Sequence, residues 1–376
     1  MNGTEKQSSF TRAASSASGA ASSKFLLSVF PLTPQTFRRL RRSAVFCLGL
    51  ALFLWTAWPL LPSQKDNRPQ TIVVYGFSIL EPVITEDIFP AFQKEWFRKT
   101  GRRVELISSF AGSGTVANQL IMGVPAEIAI LSTELDAQRL TKAGVVPRET
   151  WKELPHKGVI NRTPFIIVTR PGNPKSIHDF SDLAGPGVRI IHPDPLTSGA
   201  ANWAILAEYG AAVRQPGAAA DAGRTLLRGI WRNVVSQAGS ARAAMTQFNS
   251  GFGDVLITYE QDALWMRGRG SFPCEIIYPR STILSEHTLV VIARNVSKSQ
   301  KKLVTAFADF IWSEEAQRIF VWKGYRSVDG GLNTGNPGFG TIQDPFLVDD
   351  FGGWRNAKKN IVDETWKNGV LKELNP

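Results

Sequence analysis

Three times in this chain an apolar, strand-like run turns through small residues into a helix, and this repeated turn restricts the possible fold more than anything else in the sequence. Val104 to Ile107 leads through Ala111-Gly112-Ser113-Gly114-Thr115 into Val116 to Met122. Val188, Ile190 and Ile191 lead through Thr197-Ser198-Gly199 into Ala200 to Tyr209, with Trp203, Ile205 and Leu206 as its apolar residues. Val234-Val235 leads through Ala238-Gly239-Ser240-Ala241-Arg242 into Ala243 to Phe248. Strands that pass directly into helices belong to α/β layers. Each helix start leaves N–H groups unpaired, and the peptide dipoles behind them attract an anion. Ser198 can add a hydroxyl, or it can simply cap its own helix. With no other phosphate or metal motif in the chain, three such turns point to one small anion held mainly by backbone donors.

The alternation runs the length of the chain from Thr71. Strands are predicted at Thr71 to Tyr75, Ile128 to Leu131, Phe165 to Thr169, Asp254 to Tyr259, Ile276 to Tyr278 and Leu289 to Ala293. Helices are predicted at Ile84 to Thr100, Thr133 to Ala143, Leu226 to Trp231, Lys301 to Trp312, Glu314 to Trp322 and from near Trp354. The first of these has Ile88, Phe89, Phe92, Trp96 and Phe97 on or near one face. A chain of 376 residues, 43 % apolar, is long enough for two lobes.

The formal charge of +11 is unevenly spread, because residues 1–42 hold seven Lys or Arg against one acidic residue, Glu5. The body is too weakly basic to suggest a nucleic-acid partner. That N-terminal segment reads as disordered. Ala44 to Leu61, within a segment of residues 43–62, is an apolar run behind Arg38, Arg39, Arg41 and Arg42. Basic residues on that side imply export of the body. No Ala-x-Ala site follows the run, and Phe46 before Cys47 does not suit lipid attachment, so we expect an uncleaved membrane anchor rather than a signal peptide. Cys47 and Cys274 supply no disulfide framework, and His156, His178, His192 and His287 lack ligand spacing. These histidines are expected in ordinary polar or loop roles, and neither cofactor nor metal is expected.

Five stretches in order carry a likeness: Gly112-Ser113-Gly114, Arg170 to Asp179, Pro195 to Trp203, Gly253 to Ile257, and Phe351-Gly352-Gly353-Trp354. Together they resemble the sulfate-binding proteins of bacterial ABC transporters, from about Thr71 to about Leu374. The resemblance implies a type II periplasmic-binding-protein-like α/β fold, a monomer that closes two lobes on an anion and delivers it to an ABC permease. One lobe is residues 71–163 with 283–376, the other residues 164–282. It also implies ligand contacts at Ser113, Ser198, Gly199, Ala200 and Ala241. Gly76 stands where the family has Asp, and Tyr259 where the family has a Trp that donates its indole N–H. Ser78, Gly114, Trp203 and Arg242 stand just behind these positions.

Sulfate carries no proton at neutral pH and suits a site made of donors, whereas phosphate keeps one and calls for an acceptor. None of the three turns contains a carboxylate, and Glu81, Asp194 and Glu260 are expected to be capping or surface groups. Thiosulfate, molybdate, tungstate or phosphate are alternatives, as is a membrane-tethered scaffold without anion binding. A hydrolase built on Ser198, His192 and Asp194 is the rival of another class, but the three crowd into one strand end and loop, and no serine sits in a G-x-S-x-G elbow.

Overall fold

A computed structural model describes residues 34–57, 69–268 and 273–374, and the chain divides into two units, Met1–Asp66 and Asn67–Pro376. In the first, helix α1 spans Pro34–Ala57, with proline at a position where its missing N–H costs nothing. Of the segment expected to be disordered, residues 1–33 lie outside the described residues. The rest is helical, so Arg38, Arg39, Arg41 and Arg42 belong to α1. Residues 58–61 of the expected anchor also lie outside. Among the described residues no helix is long and apolar enough to cross a membrane. The apolar part of α1 spans roughly 21 Å at 1.5 Å per residue, against about 30 Å of hydrocarbon.

The second unit opens with β1 (Gln70–Phe77), a 3-10 turn at Ser78–Leu80, α2 (Glu81–Val83), a π-helical turn at Ile84–Ile88 and α3 (Phe89–Thr100). Ile88, Phe89, Phe92 and Trp96 are buried, but Phe97, expected beside them, is 54 % exposed. Then come β2 (Val104–Ala111), α4 (Ser113–Ile121), β3 (Ile128–Leu131), α5 (Glu134–Lys142) and the long β4 (Val159–Thr169). After it follow β5 (Ile190–Pro193), α6 (Gly199–Val213), α7 (Ala222–Arg232), β6 (Val234–Ala238), α8 (Ala241–Asn249), β7 (Val255–Tyr259), α9 (Glu260–Gly268), β8 (Glu275–Ile277) and β9 (Ser281–Val291). The chain closes with α10 (Lys301–Ile311), α11 (Glu314–Trp322), β10 (Arg326–Ser327), β11 (Asp344–Phe346), α12 (Gly353–Asn356), a π-helical stretch Ala357–Leu371 and α13 (Lys372–Leu374).

The main sheet runs β2-β1-β3-β9-β4-β7-β5-β6. β1 pairs in parallel with β2 and β3, and β5 with β6 and β7. The two parallel halves are joined through β4 and β9. Val159–Pro164 of β4 pairs antiparallel with β9, and Phe165–Thr169 pairs with β7. Both strands are longer than predicted, β9 beginning at Ser281 instead of Leu289. Their missed parts carry buried polar residues that bond to each other across the join. Ser285 Oγ donates to the Thr163 carbonyl at 2.6 Å, and Thr282 Oγ1 to the Phe165 carbonyl at 2.6 Å. A strand buried on both faces by such pairing shows no apolar alternation. The tail, grouped with the first lobe by its sequence position, packs on α6 and α7. Trp354 meets Trp203 with ring centroids 4.4 Å apart, and Trp366 meets Trp231 at 4.7 Å.

His287 of β9 is fully buried, with Nδ1 2.6 Å from Asn161 Oδ1. Its ring lies 4.4 Å from that of Phe77 and 5.5 Å from that of Tyr259. Of the polar or loop roles expected for it, His287 takes the polar one, inside a strand and in the core. Burial lowers its pKa from 6.5 to about 3. In the window between those values the unfolded chain binds a proton that the folded chain refuses, so stability falls as pH falls through it, by up to about 1.4 kcal/mol per pH unit. Going from pH 7 to pH 5 should therefore remove about 2 kcal/mol through this residue. Denaturant unfolding at both pH values should show a correspondingly smaller loss in His287→Gln, and an equal loss in the two proteins would assign the effect elsewhere.

Candidate anion site

The starts of α4, α6 and α8 meet at one point. A Cβ placed on Gly112, just before α4, would lie 2.4 Å from the Thr197 carbonyl oxygen and 2.6 Å from that of Gly239. Thr197 precedes the N-cap of α6, and Gly239 precedes that of α8. The Thr197 carbonyl accepts the N–H of Gly114 (3.1 Å) and of Thr115 (3.3 Å), while Thr197 Oγ1 donates to the Gly239 carbonyl at 3.1 Å. The parallel strands of each half deliver the turns to this point, since βα turns leave a parallel sheet at its carboxyl edge.

Of the donors there, the backbone N–H groups of Ser113, Gly199, Ala200 and Ala241 make no backbone hydrogen bond among the described residues. Ser198 occupies the N-cap of α6 in an extended conformation, yet its side chain makes no capping bond. Ser240 does cap α8, accepting from the Ala243 N–H at 3.1 Å. Ser198, Ala200 and Ala241 are all under 5 % exposed. The Ser113 hydroxyl is committed: it donates to Asp136 Oδ2 at 2.6 Å and accepts from the Ser132 N–H at 3.0 Å. Only its backbone N–H remains for an anion.

Tyr259 ends β7 fully buried, with its Oη 2.7 Å from Ser132 Oγ. Burial pushes its pKa far above the usual phenol range, so it stays a neutral hydroxyl. Ser132 follows β3, and its carbonyl accepts the Trp203 indole N–H at 2.7 Å. The fit here is tight, since a Cβ on Gly199 would lie 2.7 Å from Ser132 Oγ and 3.1 Å from Ser113 Cβ. Sequence reading did not single out Ser132 or Asp136, nor the part Thr197 plays in joining the turns. A signal for Ser132 was present, because Leu131-Ser132-Thr133 is a fourth passage from a buried strand through small polar residues into a helix.

The other predicted residues are placed as follows. Gly76 lies within the ladder, opposite Phe110 and Ile130, and the Phe110 ring occupies the space a side chain would need, 2.5 Å from where a Cβ would stand. Ser78 is buried in the turn that packs on α8. Arg242 stacks on Trp265 at 4.5 Å, with Nη1 3.8 Å from Asp262 Oδ1. Asp194 acts within its own loop, accepting from the Leu196 N–H (2.9 Å) and sharing the one Thr197 hydroxyl hydrogen (Oγ1 at 3.0 Å) with the Gly239 carbonyl. Glu260 departs from expectation: it is fully buried, held by Arg326 at 2.8 Å and by the Gly340 N–H at 3.0 Å. His192 is buried too, with Nδ1 2.7 Å from the Pro193 carbonyl and Nε2 3.3 Å from Glu208. These partners leave it no link to Ser198 or Asp194, and the hydrolase arrangement is not formed. Among the described residues no His, Cys, Asp and Glu cluster is arranged to hold a metal.

A two-part sheet with helix starts converging from both sides defines an extracellular solute-binding protein, and the chain belongs to that family: residues 72–326 match the bacterial extracellular solute-binding proteins. It is 32 % identical over 318 residues to the sulfate-binding protein of Synechococcus elongatus, covering 83 % of this chain and 89 % of that one. It is 28 % identical over 352 residues to the thiosulfate-binding protein of Pseudomonas aeruginosa, covering 90 % and 98 %. Among solved structures, the sulfate-binding protein SubI from Mycobacterium tuberculosis superposes with a TM-score of 0.70 at 31 % identity, over 77 % of this chain and 99 % of that one.

Proposed function

We propose that this protein captures sulfate between the two halves of its sheet, which act as lobes of residues 71–163 with 283–376 and of residues 164–282, the tail from Gly353 reaching across onto α6 and α7 of the second, and delivers it to an ABC permease outside the cytoplasm. The observation that carries the reading is the meeting of three helix starts around a Ser198 hydroxyl that is not spent on capping. The ligand set is the N–H groups of Ser113, Gly199, Ala200 and Ala241 with the hydroxyls of Ser198 and Tyr259. Gly76 shapes the floor by admitting Phe110. Every member is neutral, so the dianion is stabilised by dipoles without a buried counter-charge that would be costly in the empty cleft. The nearby carboxylates are engaged, Asp136 by Ser113 and Asp194 by its own loop, which favours an unprotonated anion over phosphate. The protein works as a monomer, and Ala44 to Leu61, which begins in α1, holds it near the membrane.

Calorimetric titration with sulfate, thiosulfate, molybdate and phosphate at neutral pH tests this. Sulfate is expected to bind tightly and phosphate to be excluded. Preference for thiosulfate would mean that Tyr259 has resized the site, and tight phosphate binding would defeat the donor-only reading. Ser198→Ala should weaken sulfate binding by about 1.5 to 3 kcal/mol through loss of one charge-assisted hydrogen bond. An unchanged affinity would return Ser198 to the role of a bystander at the helix start.

A further inference from the structure

Ser132 ties the two halves directly to each other through its side chain, beside the backbone bonds from Gly114 and Thr115 to the Thr197 carbonyl. It belongs to the first half, between β3 and α5, yet two of its three bonds reach the second. Its carbonyl accepts from Trp203 Nε1 of α6, and its hydroxyl meets Tyr259 Oη at the end of β7. The third bond, from its N–H to Ser113 Oγ, anchors it within the first half. Ser113 is held in turn by Asp136, which also accepts from Thr133 Oγ1 at 3.2 Å and from Arg139 at 2.9 Å. A fixed chain of bonds therefore runs from the Asp136 carboxylate to the Tyr259 phenol. Its hydrogens are ordered as far as the Ser132 N–H, and either hydroxyl of the Ser132–Tyr259 pair can donate. The carboxylate takes the Ser113 hydroxyl hydrogen, leaving the Ser113 oxygen to accept from Ser132. The Ser132 hydroxyl has no partner other than Tyr259 among the described residues. When it donates to Tyr259 Oη, the phenolic hydrogen is free to point at the anion.

We infer that Ser132 is a closure latch and positioning residue: its bond to Tyr259 holds the two halves together and turns the phenolic hydrogen toward the bound oxyanion. This rests on the oxyanion-binding reading for its second part only. The tie between the halves is a property of the protein alone. Ligand release then requires the Ser132 bonds to break as the halves separate, so the latch slows dissociation more than it speeds association. It also makes Ser132 and Tyr259 act as a unit, and their effects on binding should not add.

The test uses the full chain with Ser132→Ala, Tyr259→Phe and the double variant. Ser132→Ala removes only a hydroxyl and keeps the carbonyl that Trp203 requires. Sulfate affinity and dissociation rate are measured by calorimetry and stopped-flow fluorescence, and the radius of gyration by solution scattering with and without sulfate. Each single variant should bind about tenfold more weakly, mainly through faster dissociation, and the double variant should be no weaker than the worse single. The compact form should be less populated in both single variants than in the wild type under the same conditions. Independent, multiplying losses would overturn the positioning role. Equal radii of gyration in all four proteins would overturn the latch, whatever the ligand. A wild type that binds neither sulfate nor thiosulfate would refute the oxyanion reading and the phenol's aim with it, and the scattering comparison would still decide the latch.

Discussion

Gly112→Ala should weaken sulfate binding at least tenfold while leaving the protein folded. Gly112 has φ −58° and ψ 139°, values open to any residue, so alanine brings no backbone strain. What it brings is one methyl group between three turns. That carbon would sit 2.4 Å from the Thr197 oxygen and 2.6 Å from the Gly239 oxygen, and both are backbone atoms without a rotamer to escape into. The turn before α4 must then move away from the turns before α6 and α8. The Ser113 N–H goes with it, and the bonds from Gly114 and Thr115 to Thr197 are lost. Loss of this charge-assisted donor to a dianion amounts to about 1.5 to 3 kcal/mol, at least tenfold in Kd. β2 and α4 keep their own half intact, so the thermal midpoint without ligand should move by only a few degrees. Calorimetry paired with a thermal scan reads both quantities. Wild-type affinity in Gly112→Ala would show that the turns do not need to meet for the ligand to be held.

The second large effect is on stability. Trp203 is fully buried in α6, packed edge-on against Trp354 at 4.4 Å, with its indole N–H on the Ser132 carbonyl. It therefore joins three parts of the chain: α6, the tail that packs on it, and the loop after β3. Trp203→Ala should cost about 3 to 5 kcal/mol for the cavity, and leaving the Ser132 carbonyl without a donor adds about 1 to 3 kcal/mol. Trp203→Phe restores most of the packing but not the donor, and isolates the second contribution. Denaturant unfolding of the three proteins measures both. A loss below about 1.5 kcal/mol in Trp203→Ala, within the range of ordinary substitutions, would mean that this helix is not fastened at Trp203.

Much of this was legible in the residues because the forces involved are local. Short runs such as Ile128 to Leu131 and Val255 to Tyr259, bounded by polar or small residues, read as buried strands, and the small residues at Gly112-Ser113, Ser198-Gly199 and Ser240-Ala241 after such runs read as helix starts. β4 and β9 were half missed because Asn161, Thr163, Ser285 and His287 satisfy one another across a join that brings together residues more than a hundred positions apart. Phe97 was misplaced for a related reason: an apolar side chain near the edge of a helical stripe is buried only if something packs there. The N-terminal run showed its composition plainly, but which residues enter α1 depends on where the helix begins.

The sequence by itself therefore determined the α/β class, the three strand-to-helix turns and the family motifs, each a matter of short-range periodicity and backbone chemistry. The tertiary structure decided whether the donors share one point and which of them are free. Ser113 and Ser198 are both serines at a glycine turn, yet Asp136 engages the first hydroxyl and no capping bond engages the second. That difference comes from what the folded chain places beside each residue. A hydroxyl's role is set by the partner within about 3 Å, and only folding brings Asp136 to Ser113 or Ser132 to Tyr259.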